Sequence, residues 1–378
     1  FQMTLVMSLE SGWTSPALAI LLSSESPIPT SKTDASWIAS ILSIGKAVGG
    51  LVGAIDVEIF GSKTAVLHIG LVQVLGLILL AIAESVSLIE ISRFICGVAS
   101  GMVLIAFPLY MGEISNSKIR GALVGLVSSG MSIGYVLGNL TGAYMSIADN
   151  AIMCLSISIL FIITFYWLPN SPHYFVLKNE TEKAGGAILW YQRDANVQKE
   201  LESLRDFIKA KQSMTFRALL DEFMLPHNRT ALFNVIIIYI LIQLSGYFTI
   251  GFYMEIILTQ AQVSVISPAL AVAVVSTAAP VGGIIAMLTI DRFGRKFLMV
   301  TTAIGLAVCV GLMGLHFQLQ ETGRYQPEHI QWLMLTAALV FEAFVSLGVI
   351  PIPNTILSET FAPNIKSYSS CVANIFAG

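Results

Sequence analysis

Residues 243–253 read QLSGYFTIGFY and set polar and aromatic side chains inside a long apolar run. Gln243, Ser245 and Thr249 carry groups that can hydrogen-bond a solute, and the aromatic residues among them offer flat apolar faces. A helix that faced lipid along its whole length would carry Leu and Val instead. The stretch therefore indicates either the polar lining of a solute pathway or a pathway that has lost its ligands.

Charged residues also lie within other apolar stretches, where a charge is costly and therefore points to a function. They are Glu10, Lys46, Arg93 and Glu342. We expect a neutralising structural pair between Glu10 and either Lys46 or Arg93, and the use of Glu10 in proton coupling is the alternative.

The composition predicts that these side chains are positioned by an all-α membrane protein. The chain has 378 residues, of which 55% are hydrophobic and 11% are charged, and its mean hydropathy is +0.79. A soluble domain carries roughly 25% charged residues. Cys96, Cys154, Cys309 and Cys371 fall in apolar segments without metal-type spacing, and we interpret them as core residues.

Apolar windows of about 20 residues suffice to cross a bilayer as helices. Six of them precede a charged insert and five follow it. We therefore expect an N-terminal transmembrane half at 1–168, a cytoplasmic helical linker at 169–229 and a C-terminal transmembrane half at 230–378. The first and last spans are cut short, so we expect a fragment of a longer protein. The windows lie near 2–22, 36–56, 64–83, 87–110, 120–145, 150–168, 230–257, 266–290, 297–317, 331–357 and 367–378.

The distribution of basic residues predicts the topology. Loops of one parity carry most of them, and the opposite loops carry little beyond Lys32 and Arg324. The positive-inside rule places the insert and the basic loops in the cytoplasm, with the start of the chain running outward. The basic loop residues outside the insert are Lys63, Lys118, Arg120, Arg292, Arg295, Lys296 and Lys366.

An internal repeat predicts two equivalent halves. EIFGSK at 58–63 follows the second span, and DRFGRK at 291–296 follows the eighth. Glu113 precedes Arg120 by seven residues, and Glu359 precedes Lys366 by the same interval. Such halves are typical of a transporter that rocks around a site near the bilayer midplane.

Glycines recur every fourth residue along two predicted spans, and this spacing lets helix backbones approach closely. We expect plain helix packing at these faces. The glycines are Gly45, Gly49 and Gly53 in the second span, and Gly130, Gly134, Gly138 and Gly142 in the fifth.

Several motifs are spread over essentially the whole chain. They are RFICG at 93–97, PLYMGEISNSKIRG at 108–121, LPNSPHYF at 168–175, QLSG at 243–246, DRFGRK at 291–296, PIPN at 351–354 and ETFAPNIKS at 359–367. Together they resemble the sugar porter family of the major facilitator superfamily. GWTSPAL at 12–18 is most similar to the insect facilitated trehalose and glucose transporter branch of that family.

The resemblance implies a major facilitator fold of two pseudo-symmetric six-helix halves. It further implies facilitative, carrier-mediated transport of a sugar, trehalose or a hexose, by alternating access in the plasma membrane. The expected partners are the lipid bilayer and a small-molecule substrate, with no nucleic acid, and we expect a monomer. We expect no cofactor, no metal and no enzymatic reaction.

The resemblance makes the repeated charge motifs gating elements. The C-terminal cluster is expected to hold the cytoplasmic ends closed in the outward-facing state and to part in the inward-facing state, although plain anchoring of the topology is the alternative. Pro351 and Pro353 permit bending of the tenth span, which suits a gating helix. The predicted members of the C-terminal cluster are Asp291, Arg292, Arg295, Glu359 and Lys366.

The matching N-terminal cluster is eroded, because Ile59 and Ser62 replace the family's usual arginines. We expect it to be the weaker of the two. Its predicted members are Glu58, Lys63, Glu113 and Arg120. In proton-coupled members of the family an acid in the first span works with the arginine that matches Arg93. By spacing from Pro16, that position falls here on Leu9 rather than on Glu10.

Most of the family's sugar ligands are replaced. The resemblance puts adjacent glutamines and a later asparagine at Ile242, Gln243 and Phe248. The fifth-span glutamine corresponds to Ser128 and the eighth-span asparagine to Ala279. The tenth-span tryptophan corresponds to Asn354.

Several interpretations remain open. One keeps sugar transport with a reduced polar set, and another has the cavity retuned for a non-sugar small polar solute or, through Lys46, an anionic one. In a third, Gln243 and Asn354 merely bond neighbouring helices, and in a fourth the chain is a transport-inactive sensor or receptor. The reduced set is Gln243, Ser245, Thr249, Ser128 and Asn354.

Overall fold

Every element that the computed structural model describes is helical, which confirms the all-α prediction. The described residues are 1–24, 26, 28–115, 117–193, 196–212, 221–323, 325–361, 365, 369, 372–373 and 375–376, of which 117–122, 124, 209–212 and 358 are described by backbone only. The helices before the insert are α1 (Gln2–Leu21), α2 (Lys32–Phe60), α3 (Ser62–Ala81), α4 (Val86–Ile114), α5 (Ser117–Tyr144) and α6 (Ile147–Tyr166).

The insert and the later spans are also helical. The insert contains α7 (Pro172–Leu177), α8 (Thr181–Tyr191) and α9 (Val197–Gln212). The later helices are α10 (Pro226–Leu244), α11 (Tyr247–Phe252), α12 (Met254–Gln260), α13 (Pro268–Ser276), α14 (Ala278–Phe293), α15 (Arg295–Glu321) and α16 (Pro327–Phe344), then a π-helical turn (Val345–Val349) and α17 (Pro351–Thr360).

Eight helical segments of the described chain are long and apolar enough to cross a membrane. They coincide with the predicted second, third, fourth and sixth windows and with the seventh to tenth. The first and fifth windows are occupied by α1 and α5, which are 20 and 28 residues long. Helix α1 buries Glu10, Thr14 and Ser15, so it is more polar than a helix that faces lipid. The predicted window at 367–378 lies largely outside the described residues.

Spans of the later part are broken near their middles. Gly246 has a φ of 75°, a left-handed conformation that favours glycine, and it separates α10 from α11. The eighth span breaks at Thr277, ahead of Pro280, which has no N–H to donate to a helix. The tenth span passes through the π-helical turn, where the Ile350 N–H donates to the Val345 carbonyl oxygen at 3.1 Å. Interrupted helices near the midplane commonly form the solute sites of transporters.

Glycine faces hold the first six helices together. Gly138 of α5 lies against α1, where an added Cβ would overlap the Leu9 carbonyl oxygen. Gly49 of α2 lies against α4, where an added Cβ would overlap the Val98 carbonyl oxygen. The prediction of close helix packing is confirmed, because a side chain at either position would collide with a backbone.

The helices on the two sides of the insert meet at the end of the bundle opposite the basic turns, which we call the outer end. Phe252 of α11 packs in one apolar cluster with Trp13 and Ala17 of α1. The Glu255 N–H donates to Ser15 Oγ at 3.0 Å. These contacts close the outer end between α1 and the seventh span, while α13 packs along α5.

Candidate functional site

The seventh-span stretch places its polar side chains around the helix break. The Ser245 hydroxyl donates to a carbonyl in the last turn of α10 at 2.6 Å. Thr249 is exposed on α11, and Gln243 is half-buried just before the break. Lys46 Nζ lies 5.5 Å from the centroid of the Phe248 ring. An aromatic face of the seventh span therefore holds the Lys46 ammonium in a cation–π contact.

The two predicted ligands outside the seventh span behave differently. Ser128 is exposed on α5. Asn354 accepts a hydrogen bond from Tyr239 Oη at 2.8 Å, and its Nδ2 donates to the Ile350 carbonyl oxygen at 3.1 Å. These bonds join α10 to α17, so the geometry of Asn354 supports the interpretation in which it bonds a neighbouring helix.

The C-terminal cluster forms around Arg295, at the turn between α14 and α15. Arg295 Nη2 lies 2.9 Å from Asp291 Oδ1 and 2.6 Å from Glu359 Oε1, and Nε lies 3.1 Å from Glu359 Oε2. The contact with Glu359 is bidentate, a strong arrangement for a guanidinium and a carboxylate. It ties the turn to α17. Arg292 is exposed beside the cluster, and Lys366 lies outside the described residues.

The N-terminal cluster is centred on Glu113 but has other partners than those predicted. Glu113 accepts a hydrogen bond from the Ser62 hydroxyl, and its second oxygen lies 3.6 Å from His173 Nδ1. Lys63 instead donates to the Tyr166 carbonyl oxygen at 3.2 Å. Lys63, a predicted member, therefore has a different partner from its neighbour Ser62, because consecutive helical residues point about 100° apart. Ser62 faces α4, and Lys63 faces α6.

The remaining predicted members of the N-terminal cluster are Glu58 and Arg120. Glu58 is exposed at the end of α2, and the Arg120 side chain lies outside the described residues. The residue that sequence reasoning missed is His173. It lies inside the LPNSPHYF motif, but no local spacing links it to Glu113.

The insert is fastened to the same region. The His173 ring lies edge-on to Phe207 of α9, with 6.1 Å between the ring centroids. Tyr191 of α8 donates to the Pro169 carbonyl oxygen at 2.7 Å, and its oxygen lies 2.9 Å from Tyr110 Oη of α4. Burial raises the pKa of the Tyr191 phenol, which keeps the hydroxyl protonated as a donor. The N-terminal cluster thus also anchors the insert.

Arg93 is buried and holds α1 by its backbone. Its Nη1 donates to the Glu10 carbonyl oxygen at 3.1 Å, and its Nη2 donates to Thr14 Oγ1. Both carboxylate oxygens of Glu10 are buried and have no hydrogen-bond partner among the described residues. The Arg93 guanidinium thus binds the α1 backbone and Thr14, and a neutralising pair of Glu10 with Lys46 or Arg93 stays a prediction.

Glu342 is a buried acid of the tenth span. It is 3% exposed and lies on α16, three residues before the π-helical turn. The Tyr135 hydroxyl lies 3.4 Å from the position that a Cβ would take at Gly251. Sequence reasoning found Glu342 but not the approach of Tyr135 to α11, which depends on helices that are distant along the chain.

Apolar spans with breaks along their length and a closed outer end are the architecture of a multi-pass membrane transporter. The family described as "Sugar (and other) transporter" matches residues 9–376. The chain belongs to that family.

Curated relatives and solved structures agree with this assignment. The "Facilitated trehalose transporter Tret1" of Culex quinquefasciatus is 27% identical over 99% of this chain and 72% of its own length. The Anopheles gambiae protein of the same name is 26% identical over 99% of this chain, which spans 47% of that longer protein. The Escherichia coli xylose transporter XylE in a partially occluded inward open conformation gives a TM-score of 0.78 at 17% identity, covering 100% of this chain and 88% of that one. The structure of XylE bound to 6-bromo-6-deoxy-D-glucose gives a TM-score of 0.74 at 19% identity, covering 100% of this chain and 85% of that one. These structures confirm the major facilitator fold.

Proposed function

We propose that this protein carries a sugar, trehalose or a hexose, across the plasma membrane by facilitative alternating access. The observation that carries the proposal is the pair of basic-end clusters, around Arg295 and around Glu113, at the repeated positions of the two parts of the chain. The names of the insect relatives support a sugar as the solute.

The same proposal divides the chain into two rocking units, 1–168 and 230–378, joined by the linker 169–229. In the geometry described above, the outer end is closed by the contact of Phe252 with Trp13. Opening that end requires this apolar contact to part, and the charge clusters then hold the opposite end closed. The solute moves with the change of state and undergoes no covalent step.

A facilitative carrier is favoured over a proton symporter by the geometry around Arg93. Its guanidinium bonds the α1 backbone and Thr14, so it does not contact a first-span carboxylate. Protonation of Glu10 therefore leaves the hydrogen bonds of Arg93 to α1 in place. Leu9 occupies the position of the coupling acid in proton-coupled relatives.

Uptake of radiolabelled trehalose and glucose by the full-length protein in proteoliposomes tests the proposal. We expect saturable uptake of at least one sugar, with no stimulation by an inward proton gradient. Uptake of a small carboxylate without any sugar would overturn the proposed substrate. Sugar binding without uptake would indicate a sensor or receptor, and proton-driven accumulation would indicate a symporter.

A further inference from the structure

Helix α8 of the insert exposes its largest apolar side chains. Its buried face packs Ala184 and Ile188 against Leu201 of α9. Away from that face, Trp190 is 55% exposed and Leu189 is exposed beside it. A helix whose outer face lay in water would carry polar residues there. The exposed pair therefore points to a partner with an apolar surface.

The end of the sixth span marks the bilayer surface close to this pair. Tyr166 is the last residue of α6, and Trp167 follows it with 6.1 Å between the ring centroids and 79% of its surface exposed. Exposed aromatic residues at the end of an apolar span are typical of the boundary between lipid and water. Lys63, at the start of the third span, donates to the Tyr166 carbonyl oxygen at 3.2 Å, so two spans end at this level.

A hydrogen bond holds the end of α8 at the same level. Tyr191 is the last residue of α8 and donates to the Pro169 carbonyl oxygen at 2.7 Å. Pro169 follows Trp167 by two residues and so lies within about 7 Å of it. The headgroup zone of a bilayer is about 5–7 Å deep on each side of the hydrocarbon core. Trp190 precedes Tyr191, with 4.7 Å between the ring centroids, so its ring lies within reach of that zone.

The charges of α8 are arranged to suit lipid headgroups at the same end. Arg193 is exposed just beyond the end of the helix, close in sequence to Trp190. The acidic residues lie at the other end of α8, where Glu182 is in the first turn and Glu180 is paired with Lys183 at 2.9 Å. A guanidinium beside an apolar pair matches a phosphate above acyl chains, and the indole adds an N–H donor for the same boundary.

We propose that Leu189 and Trp190 bind the phospholipid surface at the basic end of the bundle, with Arg193 paired to the headgroup phosphates. The contact extends the bilayer boundary of the sixth span, because Tyr191 joins α8 to the residues that directly follow that span. The insert is then held between the bilayer and the N-terminal cluster, which it meets through the contact of His173 with Phe207.

A nitroxide label at position 186 tests this contact in the full-length protein, reconstituted in vesicles of phosphatidylcholine and phosphatidylserine. Gly186 is exposed one turn before Trp190, and a Cβ added there meets no heavy atom within 4 Å, so Gly186→Cys should not disturb the fold. Molecular oxygen concentrates in the bilayer, whereas a nickel chelate stays in water. The ratio of collisions with oxygen to collisions with the chelate therefore reports whether the label lies in lipid.

We expect this ratio to be several times higher at position 186 than for a label at Glu202→Cys, which is the matched control because Glu202 is exposed on α9. The unsubstituted protein gives the background from the native cysteines. Water-like ratios at both positions would overturn the inference. Protection of position 186 from both oxygen and the chelate would also overturn it, since a protein partner would then cover this face.

Substitutions in the apolar pair give the second test. Leu189→Ser with Trp190→Gln should lower the ratio at position 186 to that at position 202, and Trp190→Gln alone serves if the double variant aggregates on size-exclusion chromatography. An unchanged ratio would overturn the role of the pair.

The lipid composition tests Arg193. Vesicles of phosphatidylcholine alone should give a lower ratio at position 186 than vesicles with phosphatidylserine, and Arg193→Gln should remove that difference. Equal ratios in both lipids before the substitution would overturn the pairing of Arg193. These measurements need no sugar uptake, so their failure leaves the proposed function standing.

Discussion

The helices before the insert and those after it differ in whether each span is one continuous helix. In the first set each span is one continuous helix, and glycines on α2 and α5 press backbones together. In the second set the seventh, eighth and tenth spans are interrupted. Gly282 there also lies against a backbone, at Ala343, whereas Gly283, Gly311 and Gly314 meet no heavy atom within 4 Å at the Cβ position. The interrupted spans provide the places where the bundle can bend.

The two basic-end clusters differ in the number of charged contacts that they contain. Arg295 makes two charged contacts, with Glu359 and Asp291, whereas Glu113 is held by the Ser62 hydroxyl and by a histidine. A serine hydroxyl carries no charge, and His173 contributes one only when protonated. The expectation of a weaker N-terminal cluster therefore has a physical basis in the loss of a permanent cation, and transport measurements decide whether it holds.

The largest effect is expected from the glycine contact. Gly138→Val forces a branched side chain into the Leu9 carbonyl of α1, and overpacking of this kind typically costs about 1–3 kcal/mol. We expect a large loss of folded protein and a lower Tm by thermal unfolding in detergent. Gly283→Ala in α14 is the control, and it should leave the Tm unchanged or raise it, since no atom opposes its Cβ. Equal losses in both variants would contradict the contrast in packing.

The next effect concerns the C-terminal cluster. Arg295→Gln removes both ion pairs. Exposed pairs contribute little to stability, but these two hold one end of the bundle in a single state, so the maximal sugar uptake rate should fall severalfold. Arg292→Gln at the neighbouring exposed position is the control and should stay near the wild-type rate.

The third prediction concerns the N-terminal cluster, which a new cation should strengthen. Ser62→Arg restores a permanent cation opposite Glu113 and should strengthen that cluster by less than about 1 kcal/mol. Uptake should then change up to about fivefold, and the change should shrink as ionic strength rises. The double variant Ser62→Arg with Glu113→Gln should return to the behaviour of Glu113→Gln. An effect that persists without Glu113 would show that the arginine acts elsewhere.

The smallest effect is expected at His173. His173→Gln keeps a polar side chain but removes the contact with Glu113 at 3.6 Å and the edge contact with Phe207. The pair lies beyond ordinary hydrogen-bond distance, so we expect less than a twofold change in uptake. Limited proteolysis of the insert is the more sensitive measurement, and it should show faster cleavage. Unchanged cleavage would separate His173 from the anchoring of the insert.

Much of the fold was predictable, because each span carries its own signal. A window of apolar residues marks a helix whatever it packs against, and the DRFGRK motif places Asp291 and Arg295 only four residues apart, on the two sides of the Gly294 turn. The partners of Glu113 were not predictable in this way. The direction in which Ser62, Lys63 and His173 point depends on the packing of α3, α6 and α7 around α4.

By itself, the sequence determined the helical spans, the repeat, the glycine faces and the family, since these depend on local composition and spacing. Only the tertiary structure decided which polar groups meet between the two parts of the chain. Tyr135 of α5 approaches α11 at Gly251, and Arg93 bonds the α1 backbone rather than the Glu10 carboxylate. The physical reason is that a buried polar contact depends on helix crossing and rotation, which no local pattern records.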